Sequence, residues 1–279
     1  MTEKLRGENR IREFKQVAKK LTSRLSSFEG VLGIAFIGGL VRGFADKYSD
    51  LDIIVLLARR DEQLRRQFYD LSSDVARVSG VDVDLEVHFI DDFKGQKWDE
   101  IDRWEFSKVK IVFDPEGVVQ RVFREKLKQP KDFWTKRIAL LAEYMKWYCC
   151  PPKENVGTVA QTWVDRGDLL SAHYCLNYAV DLVLKVVFTL NKEHLPAPKW
   201  RLFYSYNLKW LPKGFSKLIK DAMKATDFST DELEFRLRAL RELWHGVVPK
   251  IRDVTGLTME ELSEYFVEKI LRVRAAKYK

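Results

Sequence analysis

The spacing of apolar residues changes repeatedly over the first 115 positions, and that rhythm predicts the elements. Phe14, Val17, Ala18, Leu21 and Leu25 recur at helical spacing on one stripe, which predicts an amphipathic helix over residues 9–25 with Asn9 available to cap it. Val31 to Ile37 is a short β-rich run that stops at Gly38-Gly39. Leu51 to Leu57 is almost wholly apolar, as expected of a strand covered on both faces. Helical spacing returns over Glu62 to Val78, where Leu64, Phe68, Leu71 and Val75 share a side. Val81 to Ile90 then alternates strictly. Val81, Val83, Leu85, Val87 and Phe89 lie on one face, with Asp82, Asp84, Glu86 and His88 on the other, the clearest strand pattern in the chain. Val109 to Phe113 predicts one more short strand, closed by the turn-forming Asp114-Pro115-Glu116-Gly117.

Beyond about residue 128 the strand patterns stop. Helices are predicted at Phe133–Tyr148, Asp168–Leu190, Phe215–Ala225, Thr230–Trp244 and Met259–Arg274. Their breaks fall at Pro151-Pro152, Pro196 to Pro198, Pro212 to Gly214, and Pro249. Ser229 or Thr230 ahead of Asp231-Glu232, and Thr258 ahead of Glu260-Glu261, put caps and acidic groups where a helix starts. The expected fold class is therefore α+β: a mixed-sheet domain over 1–128, then an all-helical bundle over 129–279.

Composition narrows the setting. A chain of 279 residues, 46% hydrophobic, can bury a substantial core. No secretion signal is visible at the start. The apolar segment Leu169–Leu190 carries His173, Asn177, Asp181 and Lys185, which a bilayer would penalise, so it is expected to be a buried helix. Three cysteines, two of them adjacent (Cys149, Cys150) and one apart (Cys175), suit neither a disulfide framework nor a zinc spacing, and the expected compartment is the cytoplasm. The net charge of +8 comes mostly from the second half, without a clustered basic patch that would mark a dedicated nucleic-acid binder.

The chemistry concentrates between Ile34 and Ile53. A strand ending in Gly38-Gly39 and feeding a helix exposes backbone N–H groups to an anion and removes Cβ atoms from its path. Asp50 and Asp52 follow, flanking one apolar residue. On a strand they share a face, with Cα atoms about 6–7 Å apart. Two such charges repel unless a hard divalent cation sits between them, and all-oxygen ligation with room for phosphates favours Mg²⁺. The acidic face of the later strand can supply a third carboxylate. Such a trio, holding one ion or two, suits in-line attack of a hydroxyl on an α-phosphate with pyrophosphate leaving.

A hydrophobic strand, a Gly-Gly turn, a gap of about ten residues and then Ser49-Asp50-Leu51-Asp52 resembles the fingerprint of the polymerase-beta-like nucleotidyltransferases, and Arg42-Gly43 and Tyr48-Ser49-Asp50 resemble their minimal and antibiotic-modifying branches. The resemblance implies that Gly38 and Gly39 hold the triphosphate of ATP or another nucleoside triphosphate, that Asp50 and Asp52 hold magnesium, and that a later acid completes the site. Val83 to Phe89 fits that later strand in two registers, one placing the acid at Asp84. The other, closer to aminoglycoside adenylyltransferases, places it at Glu86 as ligand or base, and Glu86 is the expectation adopted. The Ser common in the turn is Gly39 here. Arg42, Ser49 and, less specifically, Lys47 are candidate phosphate contacts.

Helical domains in related enzymes line the acceptor pocket, which implies a site in the cleft between the two domains, with Lys185 on the triphosphate and Asp181 on a polar acceptor. The plainer reading of Asn177, Asp181 and Lys185, at i, i+4 and i+8, is an ion pair within the bundle. Trp200 to Tyr206 could line that pocket or be core. The expected reaction moves AMP from ATP to a hydroxyl, whether of an aminoglycoside-like or lincosamide-like compound, a protein or an RNA end. A different class of function comes from Arg238 and His245, whose spacing resembles the motif of helical ribonuclease toxins that partner minimal nucleotidyltransferases, although the usual polar neighbour is Ala239.

Overall fold

A computed structural model describes residues 5–150 and 157–272. They form two compact units, one ending at Lys128 and the other beginning at Gln129. The Pro151-Pro152 break and the predicted end of the last helix at Arg274 lie outside the described residues.

The first unit is built on a four-stranded mixed sheet in the order β3-β2-β1-β4. Strand β1 (Val31–Phe36) runs antiparallel to both β2 (Leu51–Leu57) and β4 (Lys110–Phe113), whereas β2 and β3 (Val83–Phe89) are parallel. Helices α1 (Ile11–Leu25) and α3 (Glu62–Ser79) cover one face. There Phe14, Val17, Leu21 and Phe68 close over Ile34, Ile53, Val55 and Leu85. The five-residue α2 (Gly38–Arg42) follows β1 directly. Helices α4 (Ile90–Gly95), α5 (Glu100–Phe106) and α6 (Val118–Leu127) pack Phe93, Trp98, Phe106 and Phe123 on Ala35, Ile54 and Leu56 of the other face. Burial on both faces explains why β2 reads as a continuous apolar run. In β3 the alternation is as the sequence pattern implies, with Leu85, Val87 and Phe89 buried and Asp84 and Glu86 exposed.

The second unit is built of helices, with no strand among its described residues. Helix α9 (Leu169–Leu190) is its axis, and α7 (Phe133–Tyr148), α8 (Val159–Asp165), α10 (Pro198–Ser205), α11 (Phe215–Met223) and α12 (Thr230–Thr255) pack against it. Helix α13 (Met259–Phe266) runs into a π-helical turn, Val267–Leu271. By length and composition α9 could cross a membrane, but most of it is packed inside this unit. Helix α12 corrects the expectation that Pro249 breaks the chain. It runs on to Thr255 because Val247 and Ile251 keep its inner face in the core, while Pro249 and His245, whose carbonyl loses its partner, both face solvent.

Inside the bundle lies Arg236, a guanidinium only 1% exposed. Its Nε donates to the Ala222 carbonyl at 2.8 Å, one terminal nitrogen to His173 Nδ1 at 3.0 Å and the other to Asn177 Oδ1 at 2.5 Å. Because His173 Nδ1 accepts, its proton is on Nε2, which donates to the Ser229 carbonyl at 3.0 Å. One side chain thus ties α9, α11 and α12 together. Arg236→Ala strands these acceptors in an apolar interior and is expected to lower stability by about 3–5 kcal/mol. Chemical denaturation measures this, and a loss below about 1 kcal/mol would mean that the network contributes little.

Candidate active site

The sheet topology alone gathers the acids. Antiparallel pairing sets the end of β1 beside the start of β2, and parallel pairing sets the start of β3 on β2's other side. The register places Asp52 opposite Asp84, and the Leu51 N–H donates to the Asp82 carbonyl at 2.8 Å. Asp50 stands one residue before β2. Carboxylate oxygens of Asp50, Asp52 and Asp84 come within 4.8 Å of one another.

Their electrostatics follow from that crowding. The carboxyl of Asp52 is pushed up to about 7, chiefly by burial and then by the charge of Asp50, with Arg42 opposing and Asp84 and Glu105 adding to the rise. Asp84 is also raised, by burial and then by Glu86 and Asp50. A hard cation satisfies this donor set: three anionic oxygen ligands, mutually repelling and partly desolvated, at one strand edge.

The glycine turn lies against the same acids. Gly38 has φ of +64°, and a Cβ placed on it would sit 1.7 Å from Asp52 Oδ2. Its bareness is therefore a condition for Asp52 standing where it does. A Cβ on Gly39 would lie 2.7 Å from the Phe44 carbonyl oxygen, which accounts for glycine at a position where the family pattern has serine. The chain folds back there because the N–H groups of Gly43 and Phe44 both donate to the Gly39 carbonyl.

The loop between is fixed from within. Asp46 accepts from the Tyr48 N–H at 3.0 Å and from the Ser49 hydroxyl at 3.1 Å, and Ser49 Oγ accepts from the Asp46 N–H at 3.0 Å. The Ser49 hydroxyl, a candidate phosphate contact, is thus already engaged in shaping the loop. Arg42, the other candidate, donates to Glu105 at 2.7 Å and lies 5.4 Å from the ring centre of buried Trp104. Lys47 rests over the exposed ring of Tyr48.

Two contributions escaped the sequence reading. Asn9 is not the cap expected of it, since α1 begins at Ile11 with Arg10 as its N-cap; its amide oxygen accepts from the N–H groups of Ile11 and Ala45, and its amide nitrogen donates to the Gly43 carbonyl. Glu105 holds Arg42 from 63 positions away. No local pattern marks either role, since both depend on contacts made only once the sheet has formed.

Glu86, the expected third acid, falls outside the trio. It is paired with Ile54, one pleat beyond Asp84, and its Oε2 lies 2.9 Å from His88 Nε2. In the helical unit Lys185 Nζ is 2.8 Å from Asp181, which also accepts from Arg201, and Asn177 accepts from Arg236. That polar row is engaged within its own bundle. Of Trp200 to Tyr206, Arg201 and Ser205 are buried and the aromatic rings are half-buried. Arg238 and His245 are both exposed, two helical turns apart on one face of α12.

A mixed sheet that gathers three carboxylates beside a glycine turn defines the class of the first unit, a nucleotide-transferring fold. More particularly, residues 15–140 match the family described as "Nucleotidyltransferase domain", and this segment is a nucleotidyltransferase domain of the polymerase-beta-like kind. Residues 104–201, from α5 into α10, match a second family, "Domain of unknown function (DUF4037)". No curated protein matches the chain. Among solved structures it is similar to a nucleotidyltransferase-like protein from Exiguobacterium sibiricum 255-15, at 12% identity over 94% of this chain and 91% of that one, with a TM-score of 0.42. It is also similar to a chain of the toxin–antitoxin MntA-HpeT (17% identity, 47% of this chain, 97% of that one, TM-score 0.32). A third likeness is to a chain of the tri-AMPylated Shewanella oneidensis HEPN toxin in complex with MNT antitoxin (18%, 48% and 98%, TM-score 0.30). The assignment rests on the family match and not on these distant likenesses.

A pH dependence follows from Asp52. Its carboxyl ionises near 3.8 when unperturbed and near 7 in the fold, so between those values the folded chain holds a proton that the unfolded chain releases. Stability without metal is therefore expected to fall as pH rises through that window. Asp52→Asn should flatten the slope and, at pH 8 in chelator, melt higher than wild type. Thermal melts across pH in chelator check this, and a wild-type stability that rises over the same window would contradict it.

Proposed function

We propose that this domain transfers a nucleoside monophosphate, AMP from ATP, to a hydroxyl acceptor with release of pyrophosphate, using Mg²⁺ held by Asp50, Asp52 and Asp84. The observation that carries the reading is the convergence of those three carboxylates against a bare Gly38. Bound there, a divalent ion supplies charge neutralisation for the triphosphate. The residues of the chain do the rest. Gly38 and Gly39 leave backbone N–H groups and no Cβ in the path of the β- and γ-phosphates. Arg42, held by Glu105 and over the Trp104 ring, contributes a positive charge close enough to act on Asp52. Asp84, more basic than an ordinary carboxylate, is placed to take the acceptor's proton as the hydroxyl oxygen bonds to the α-phosphorus and the bond to pyrophosphate breaks. Glu86, in this reading, orients His88 and is not a ligand.

We assign residues 1–128 to the transferase domain and acceptor recognition to the helical unit from 129 onward. Support for the second assignment is the exposure of aromatic side chains on α7 and α9, Trp147 at 60% and Tyr174 at 74%. An aminoglycoside-like or lincosamide-like hydroxyl compound, a protein hydroxyl and an RNA end are the acceptors to be compared. A second reading, in which the helical unit cleaves RNA or serves a toxin–antitoxin pair, has one observation in its favour, the exposure of Arg238 and His245 on a shared face.

The test is transfer from α-labelled ATP in Mg²⁺ to a panel of these acceptors. Asp50→Asn, Asp52→Asn, Asp84→Asn and Gly38→Ala are each expected to lose at least about a hundredfold, and Glu86→Gln no more than about tenfold. Full activity in the Asp50 and Asp52 variants would end the proposal, and RNA cleavage lost in His245→Ala but kept in Asp50→Asn would promote the second reading.

A further inference from the structure

The last turn of α7 ends in two adjacent thiols that the transferase site does not use. Cys149 Sγ and Cys150 Sγ stand 3.6 Å apart, with the Cys150 thiol directed at its neighbour. Cys149 is fully buried, its thiol 3.7 Å from the Met145 carbonyl oxygen, and Cys150 is half-exposed. The backbone around them is held. The N–H groups of Cys149 and Cys150 both donate to the Met145 carbonyl, at 3.1 and 3.0 Å, and the Cys149 carbonyl accepts from Arg241 Nε at 3.2 Å. The pair is therefore fixed by α7 on one side and by α12 on the other.

From this geometry we propose that Cys149 and Cys150 form a chelating dithiol site for a trivalent, thiophilic metalloid of the arsenic(III) class. Bonds of about 2.3 Å, the length of a thiolate bond to zinc, meeting at the roughly 100° angle of a pyramidal trivalent centre place two sulfurs about 3.5 Å apart. The observed separation is that bite. A disulfide instead requires about 2.04 Å, so the sulfurs would have to close by roughly 1.6 Å across a single peptide unit. Soft ligands select soft centres, which sets aside magnesium and calcium.

The protonation state favours a metalloid oxide over a divalent ion. Hydrogen bonding from Cys150 and burial both push the Cys149 thiol well up, with Arg241 opposing, so Cys149 keeps its proton. A divalent cation would have to expel that proton into solvent. An organoarsenic(III) oxide brings its own base: two S–H bonds and the arsenic–oxygen bond break, two arsenic–sulfur bonds form, and the two protons leave with the oxide oxygen as one water. Arsenic stays trivalent and no oxidant is needed.

Phenylarsine oxide is the probe, added to the full-length protein in the presence of excess glutathione, with adducts read by intact mass. Wild type and Cys175→Ala are expected to retain one equivalent against the monothiol and to release it to dithiothreitol. Cys150→Ala and Cys149→Ala should each retain at least a hundredfold less. Cys150, being half-exposed, gives a variant whose folding is not in question, and melting curves establish the same for Cys149→Ala. The proposal is overturned if wild type holds no more arsenical than Cys150→Ala, if the adduct disappears in Cys175→Ala, or if mild diamide converts the pair wholly to an internal disulfide while the arsenical fails to bind. None of these outcomes depends on the nucleotidyltransferase reading, whose test uses ATP and the Asp50 variants.

Discussion

Three carboxylates forced together where two neighbouring strands begin are the constraint around which the first unit is arranged. Like charges at this spacing oppose folding, and burial of Asp52 adds to the opposition. The fold tolerates them because β2 is buried on both faces and β3 packs Leu85, Val87 and Phe89 into the core, so the cost is met by core packing elsewhere. A carboxyl group whose ionisation is pushed up to about 7 by burial and by neighbouring acids marks this cluster out electrostatically from the rest of the unit.

The neighbouring features follow from that cluster. Gly38 has no side chain because Asp52 occupies the space one would fill, and Gly39 has none because the chain turns back over it at Phe44. Arg42 softens the negative field from the side, and it stays in place because Glu105 and Trp104 on α5 hold it. Even Asn9, at the start of α1, fastens the returning loop through Gly43 and Ala45. The helical unit shows a parallel economy in Arg236, where one buried cation organises three helices through uncharged acceptors.

Much of this was legible in the residue pattern because the signals were local. Alternation in β3, the apolar run of β2, the glycine turn and the capping residues Ser229 and Thr258 each act within a few positions. The illegible parts are of two kinds. Short helices such as α4, α5, α8 and α10 carry too few turns for a period to show, and α12 crosses Pro249 because packing at Val247 and Ile251 outweighs local propensity.

The sequence by itself determined the fold class, the strand–turn–strand order and the two aspartates that share a face, because a period of two and a glycine pair are properties of neighbouring residues. Only the tertiary structure decided which acid joins them. Asp84 and Glu86 are equivalent along their own strand, and nothing local separates them. The parallel register of β3 on β2 sets Asp84 against Asp52 and leaves Glu86 one pleat away with His88. Register is a relation between strands, fixed by how their buried faces pack, and it exists only when both are in place.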